Sequence, residues 1–162
     1  MIRIAVDGMG GDKAPEQIVI GTMDALNKFS DIEVTLFGDE NLMKPYLTQH
    51  PRLKVVHTPK FLDMGIKDVG RDTLRNDKDA SMLMALQYVK DGYADAVVSA
   101  GPTQALIFSS YFLVRPMKEM SRVAIAPMIP HLSGKPTMLL DAGGNIDAKP
   151  EQLLDFAIFA TV

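Results

Sequence analysis

Three glycine-bearing stretches hold the residues of this chain best suited to chemistry. The first is Asp7-Gly8-Met9-Gly10-Gly11-Asp12. The second is Ser99-Ala100-Gly101-Pro102-Thr103. The third is Asp141-Ala142-Gly143-Gly144-Asn145-Ile146-Asp147-Ala148-Lys149-Pro150. Glycine lets the backbone take conformations that turn N–H groups toward an anion. A helix starting soon afterwards adds the positive end of its dipole. The hydroxyls of Ser99 and Thr103 add donors, and Lys149 adds a point charge suited to phosphate. Each stretch also has a plain structural alternative. The first is a tight strand–helix turn, the second a helix start capped by Thr103, and the third a run of Asx-type turns before a proline-started helix. The first stretch fails two nucleotide fingerprints. Lys13 stands where a G-x-G-x-x-G begun at Gly8 needs glycine, and no Gly-Lys is followed by Ser or Thr.

Other chemistry is thinner. His50, His57 and His131 are isolated in sequence, and no metal-ligand spacing joins them. The 11 methionines sit at core-like positions and read as packing. There is no cysteine, which excludes a disulfide, a thiolate metal site and a catalytic thiol, and points to an intracellular protein. A net charge of −3 argues against a basic nucleic-acid-binding surface. With 47% hydrophobic residues the chain can build a core. Its N-terminus has no signal-peptide pattern, and no apolar run reaches the roughly 18 residues of a membrane span.

The elements that must position the three stretches alternate between strand and helix. Strands are expected over 3–6, 33–37, 53–57, 94–99, 123–128 and 137–140. Helices are expected over 15–29, 41–47, 77–91 and 103–113, with a last one opened by Pro150. The strand over 94–99 is nearly continuous in apolar residues, as a strand covered on both faces reads. Residues 58–76 lack a pattern and are either a functional segment or a short helix in a solvated loop. The alternation implies βαβ units, a mainly parallel sheet and ligands beyond the strand C-termini. All three glycine stretches lie at such ends. The last helix, Leu153-Leu154-Asp155-Phe156-Ala157-Ile158-Phe159-Ala160-Thr161-Val162, is apolar all round and is expected to be buried by elements this chain lacks, from another chain, a partner or a missing C-terminal half.

Four ordered motifs carry a resemblance through essentially the whole chain. Ile4-Ala5-Val6-Asp7-Gly8-Met9-Gly10-Gly11-Asp12-Lys13-Ala14-Pro15 resembles the N-terminal signature of the PlsX family, the acyl-ACP:phosphate acyltransferases of bacterial phospholipid synthesis. Lys78-Asp79-Ala80-Ser81-Met82 resembles that family's Lys-Asp-Ser-Ser-Met helix start. Ala94-Asp95-Ala96-Val97-Val98-Ser99-Ala100-Gly101 is similar to its strand and turn, and residues 141–151 to its Asp-x-Gly-Ala-Asn-x-Asp-x-Lys-Pro-Glu loop. The chain differs after Gly101, where the family's usual Asn-Thr-Gly-Ala reads Pro102-Thr103-Gln104-Ala105. Milder differences are Gly8, Lys13, Ala80 and Gly144.

The resemblance implies a three-layer α/β/α domain over residues 1–162, like isopropylmalate dehydrogenase and phosphotransacetylase. It is incomplete at its C-terminus, because family members are considerably longer. It implies that inorganic phosphate attacks the thioester carbonyl of acyl-ACP and releases an acyl phosphate, with no cofactor and no metal. Lys149 and Asn145 are then the catalytic residues. Asp7, Gly8, Gly10, Gly11, Asp12, Ser99, Gly101, Thr103, Asp141 and Gly143 bind phosphate or substrate. Acyl carrier protein is the partner, nucleic acid is not, and the family setting is a cytoplasmic homodimer with peripheral membrane contact. Two alternatives are a non-catalytic fragment that binds a ligand or a subunit, and a phosphotransacetylase-like enzyme using acyl-CoA.

Overall fold

In the computed structural model, which describes residues 1–66, 68–118, 120–144 and 147–161, side-chain alternation along the first strands decides the layers. β1 (Ile2–Asp7), β2 (Ile32–Gly38), β3 (Leu53–His57) and β4 (Ala96–Val98) form one parallel sheet in the order β3-β2-β1-β4. Successive side chains of a strand point to opposite faces. Ile4, Val6, Val34 and Leu36 therefore meet Val19, Met23 and Leu26 of helix α1 (Glu16–Lys28) on one face. Ala5 and Phe37 meet Ala85, Tyr88 and Val89 of helix α4 (Ser81–Lys90) on the other. The Phe37 ring stands edge-on to Tyr88 at 5.3 Å. Two apolar faces, each covered by a helix, make the three layers.

Shorter elements fill the connections. Helix α2 (Glu40–Met43) runs into a 3-10 turn at Lys44–Tyr46, and α3 (Arg71–Asn76) lies in the segment that sequence patterning left open. Helix α5 (Thr103–Ser109) continues as a π-helical turn over Ser110–Val114. Arg52 closes the C-terminus of α1. Its guanidinium donates to the carbonyls of Leu26, Phe29 and Ile32, 2.7 Å to Phe29. β4 pairs with β1 alone and is an edge strand with Val98 54% exposed, contrary to the expectation of a strand covered on both faces.

The chain clusters into two compact units, Met1–Val114 and Arg115–Val162. The second holds β5 (Met128–Ile129), β6 (Thr137–Met138) and helix α6 (Pro150–Phe159). The strands expected over 123–128 and 137–140 are shorter here and pair antiparallel, as a separate ribbon. Their connection explains this. Pro130-His131-Leu132-Ser133-Gly134-Lys135-Pro136 is too short for the crossover that parallel pairing needs, which takes at least about 10 residues. The ladder continues beyond the strands in the same register, from Leu139 N–H to Pro127 O at 3.1 Å and from Asp141 N–H to Ile125 O at 2.8 Å. In α6 only Gln152 and Phe156 are buried, while Leu153, Leu154 and Ile158 are exposed. Its neighbours among the described residues cover one stripe of it and leave the rest of its apolar surface open.

Candidate active site

The chain runs outward from β1 to β2 to β3, then returns through α4 to place β4 on the other side of β1. The sheet therefore has a topological switch point between β1 and β4. The connections leaving these two strands diverge there and open a crevice at the carboxyl ends, the place where such sheets take ligands. Register puts both ends on the same side, since Val6 pairs with Val98. The two turns that leave the switch point are the first two glycine stretches.

They are joined by Asp7, the last residue of β1, which points to the α4 face and is 1% exposed. Its Oδ1 accepts from the Ser81 hydroxyl at 2.6 Å and from the Met9 N–H at 3.3 Å. Its Oδ2 accepts from the Ser99 hydroxyl at 2.7 Å. Ser99 Oγ accepts in turn from the Gly101 N–H at 3.1 Å. Ser81 is the first residue of α4, and its own N–H is taken by Lys60 O at 3.0 Å. The Lys60 ammonium fixes the turn before the helix through Asp79 at 3.0 Å and the Asn76 carbonyl at 3.1 Å. That hydrogen bond to Lys60 lowers the Asp79 pKa from its ordinary value.

The glycines here serve close approach as much as backbone freedom. A Cβ on Gly10 would lie 2.4 Å from Asp7 Oδ2 and 2.8 Å from the Gly101 nitrogen, so the two turns touch backbone to backbone. A Cβ on Gly101 would lie 2.6 Å from Met82 Cε. Gly8 is buried against β2, where its N–H donates to Phe37 O at 2.8 Å and a Cβ would strike Met43 Sδ. Gly11 has a φ of +116°, which L side chains rarely adopt. The surface of the first turn is made by Gly11, Asp12 and Lys13, ahead of an α1 first turn that no side chain caps.

On the second turn, Pro102 is buried at the N-cap of α5 and no side chain caps that helix. Thr103 is therefore the first helical residue and exposed, and the capping role open to it in the sequence is not realised. Gln104, at the family's usual glycine position, lines a cavity of about 470 Å³ with Asp68, Asp72, Thr73 and Phe108.

The third stretch lies in the second unit. Asp141 takes a φ of +59° and Gly143 of +83°, and the Gly143 N–H donates to Asp141 O at 2.7 Å. A Cβ on Gly144 would lie 2.6 Å from Asp141 Oδ1. Lys149 is exposed, and its N–H donates to Gln152 Oε1 at 2.8 Å at the start of α6. Asn145 lies outside the described residues.

Of the expected site residues, Asp7, Gly10, Ser99 and Gly101 are thus gathered at one point of the first unit. Ser81 belongs with them and was absent from the expected set. Each histidine serves a local bond through Nδ1: His57 accepts from the Glu40 N–H at 3.2 Å, His50 from the Arg52 N–H at 3.2 Å and His131 from the Ser133 N–H at 3.1 Å. Among the described residues, no group of three or more His, Asp or Glu is placed to hold a metal ion.

Comparison with known proteins agrees with the motifs. The model of a family described as fatty acid synthesis protein matches residues 2–162. The chain is 70% identical to the phosphate acyltransferase of Acholeplasma laidlawii over 162 residues, which are 100% of this chain and 48% of that protein. It is 44% identical to the phosphate acyltransferase of Listeria welshimeri over 161 residues, 99% of this chain and 47% of that protein. The protein of that name from Geobacillus sp. WCH70 is 42% identical over 161 residues, 99% of this chain and 48% of the relative. The chain spans about half the length of the curated relatives it matches.

Proposed function

The chain belongs to the family described as fatty acid synthesis protein, and from that premise we propose that it serves an acyl-ACP:phosphate acyltransferase, with the switch point of its first unit holding phosphate. In that reaction a phosphate oxygen attacks the thioester carbonyl carbon. The tetrahedral oxyanion collapses, the C–S bond breaks, and the carrier leaves as a thiolate that takes a proton. Phosphate is the nucleophile, so a chain without cysteine loses nothing. The protein's share is to fix the phosphate in line with the carbonyl and to offer donors to the oxyanion.

The observation that carries the reading is the meeting of two glycine turns at the one switch point of the sheet. Gly11, Asp12 and Lys13 present backbone there at the surface, ahead of an uncapped helix start. The relatives' shared name supports phosphate as the acceptor. Ser99, Gly101 and Thr103 belong to the same proposed site. For Asp141, Gly143, Asn145 and Lys149 the proposal rests on their motif, with Lys149 supplying positive charge to the transition state. The same reading assigns acyl carrier protein as donor and a cytoplasmic homodimer in peripheral contact with the membrane. No helix of the described residues is long and apolar enough to cross one.

The test is direct. The purified 162-residue chain is incubated with acyl-ACP and inorganic phosphate, with acyl-CoA in a parallel arm, and acyl phosphate is measured. Product from acyl-ACP is expected, and Lys149→Ala should lower turnover about 100-fold, the usual cost of losing one donor to an oxyanion. Product from acyl-CoA alone would favour the phosphotransacetylase-like reading. A folded chain that binds phosphate and forms no product would refute catalysis by these 162 residues and favour the binding-fragment reading.

A further inference from the structure

Asp7 is the only charged residue buried among the described residues. A buried carboxylate is costly unless donors replace its lost water. Here the replacement is two hydroxyls and an N–H, and no ion pair among the described residues includes it. Each donor belongs to a different part of the switch point. Met9 lies in the first glycine turn, Ser99 begins the second, and Ser81 opens α4. The carboxylate also lies against the first turn of α4, whose orphan N–H groups favour negative charge. Both of its oxygens are occupied by the protein, and Gly10 and Gly101 close over it.

We infer that Asp7 is a positioning residue: it meets no ligand, and through Ser81 and Ser99 it couples the turn at residues 10–13, the turn at residues 99–103 and the start of α4 into a single arrangement. The inference rests on the phosphate reading for its ligand but not for its geometry. The coupling has a directional consequence. Ser81 lies about 70 residues from the first turn and 18 from the second, and among the described residues its side chain bonds to Asp7 alone. Loss of its hydroxyl leaves Oδ1 with only the 3.3 Å bond from Met9. A disturbance at Ser81 therefore reaches both turns by way of Asp7. Ser99 acts on the second turn directly, because its Oγ also holds the Gly101 N–H.

Amide hydrogen exchange on the full 162-residue chain tests this, since it reads local opening segment by segment. The variants are Ser81→Ala, Ser99→Ala, Ser99→Thr and Asp7→Asn, with Arg52→Ala as a control for a general loss of stability. Ser81→Ala should speed exchange about tenfold at residues 10–13 and 100–104, and Ser99→Thr should recover what Ser99→Ala loses. An effect of Ser81→Ala confined to the first turn of α4, or matched in both turns by Arg52→Ala, overturns the inference. Titration with inorganic phosphate supplies the second arm. Wild-type binding weakened about tenfold by Ser81→Ala and Asp7→Asn supports it. Wild-type binding that these variants leave unchanged overturns the positioning role and leaves the phosphate reading standing. Coupled exchange in a wild-type chain that binds no phosphate overturns the phosphate reading and leaves the coupling of the turns standing.

Discussion

Gly10 shows how little room the switch point leaves. Its hydrogen faces an oxygen of Asp7 and the backbone of Gly101, and a methyl group in its place would overlap both. The carboxylate cannot swing aside without releasing Ser81 or Ser99. Gly10→Ala should therefore cost about 1–3 kcal/mol, the range of overpacking in a well-packed interior, measured as a lower urea midpoint at unchanged slope. The sequence left Gly8 and Gly10 open between an anion cradle and a tight strand–helix turn. Anion cradles and tight backbone contacts demand the same residue, and only the neighbours distinguish them. Ser81 was missed for a local reason. The helix expected from Asp77 begins one turn later, at Ser81, because Asp77, Lys78 and Asp79 are drawn into a turn held by Lys60. A serine expected inside a helix was in fact its first residue.

At the scale of elements, the end of α1 is closed by a side chain from far along the chain. Arg52 reaches the carbonyls of Leu26 and Phe29, which helix geometry leaves without partners, and the Ile32 carbonyl of β2. It sets the C-terminus of α1 against the start of β2. Arg52→Ala should destabilise the chain by about 1–3 kcal/mol, as for hydrogen bonds from a charged donor. Arg52→Lys should recover only part of this, since an ammonium lacks the planar fork. Thermal melts of the two variants read the difference. β1, β2 and β3 were legible because alternation and glycine or proline punctuation agree there. The antiparallel ribbon of β5 and β6 was legible in principle from its seven-residue connection, and the strand–helix rhythm of the preceding chain obscured it.

At the scale of the whole molecule, a charge pair ties the first strand to the last strand of the sheet. Arg3 holds Asp95 through Nη2 at 2.6 Å and Nε at 3.1 Å, its N–H donates to Asp95 Oδ2 at 2.8 Å, and its carbonyl accepts from the Asp95 N–H at 2.8 Å. The Arg3 guanidinium lowers the Asp95 pKa to about 2, against an ordinary aspartate value of about 3.9. A carboxylate whose folded pKa is depressed stabilises the fold above its unfolded pKa and loses that contribution as pH falls through the folded one. Melting temperature should therefore decline between about pH 4 and pH 2, and Asp95→Asn should flatten that decline. The pair is exposed, so added salt should shrink the effect. The three-layer architecture was readable from sequence because two helices cover two alternating faces. The edges of its sheet were not, because no local pattern states which strand comes last. The two edges differ in character. β3 offers Lys54 and His57 to water, whereas β4 offers Ala96 and Val98 with neither charge nor proline. Such an edge lacks the features that discourage strand-to-strand aggregation. In a concentrated solution of this 162-residue chain, the open side of β4 is where self-association would begin, and a lysine at position 98 would be the conservative way to keep it soluble.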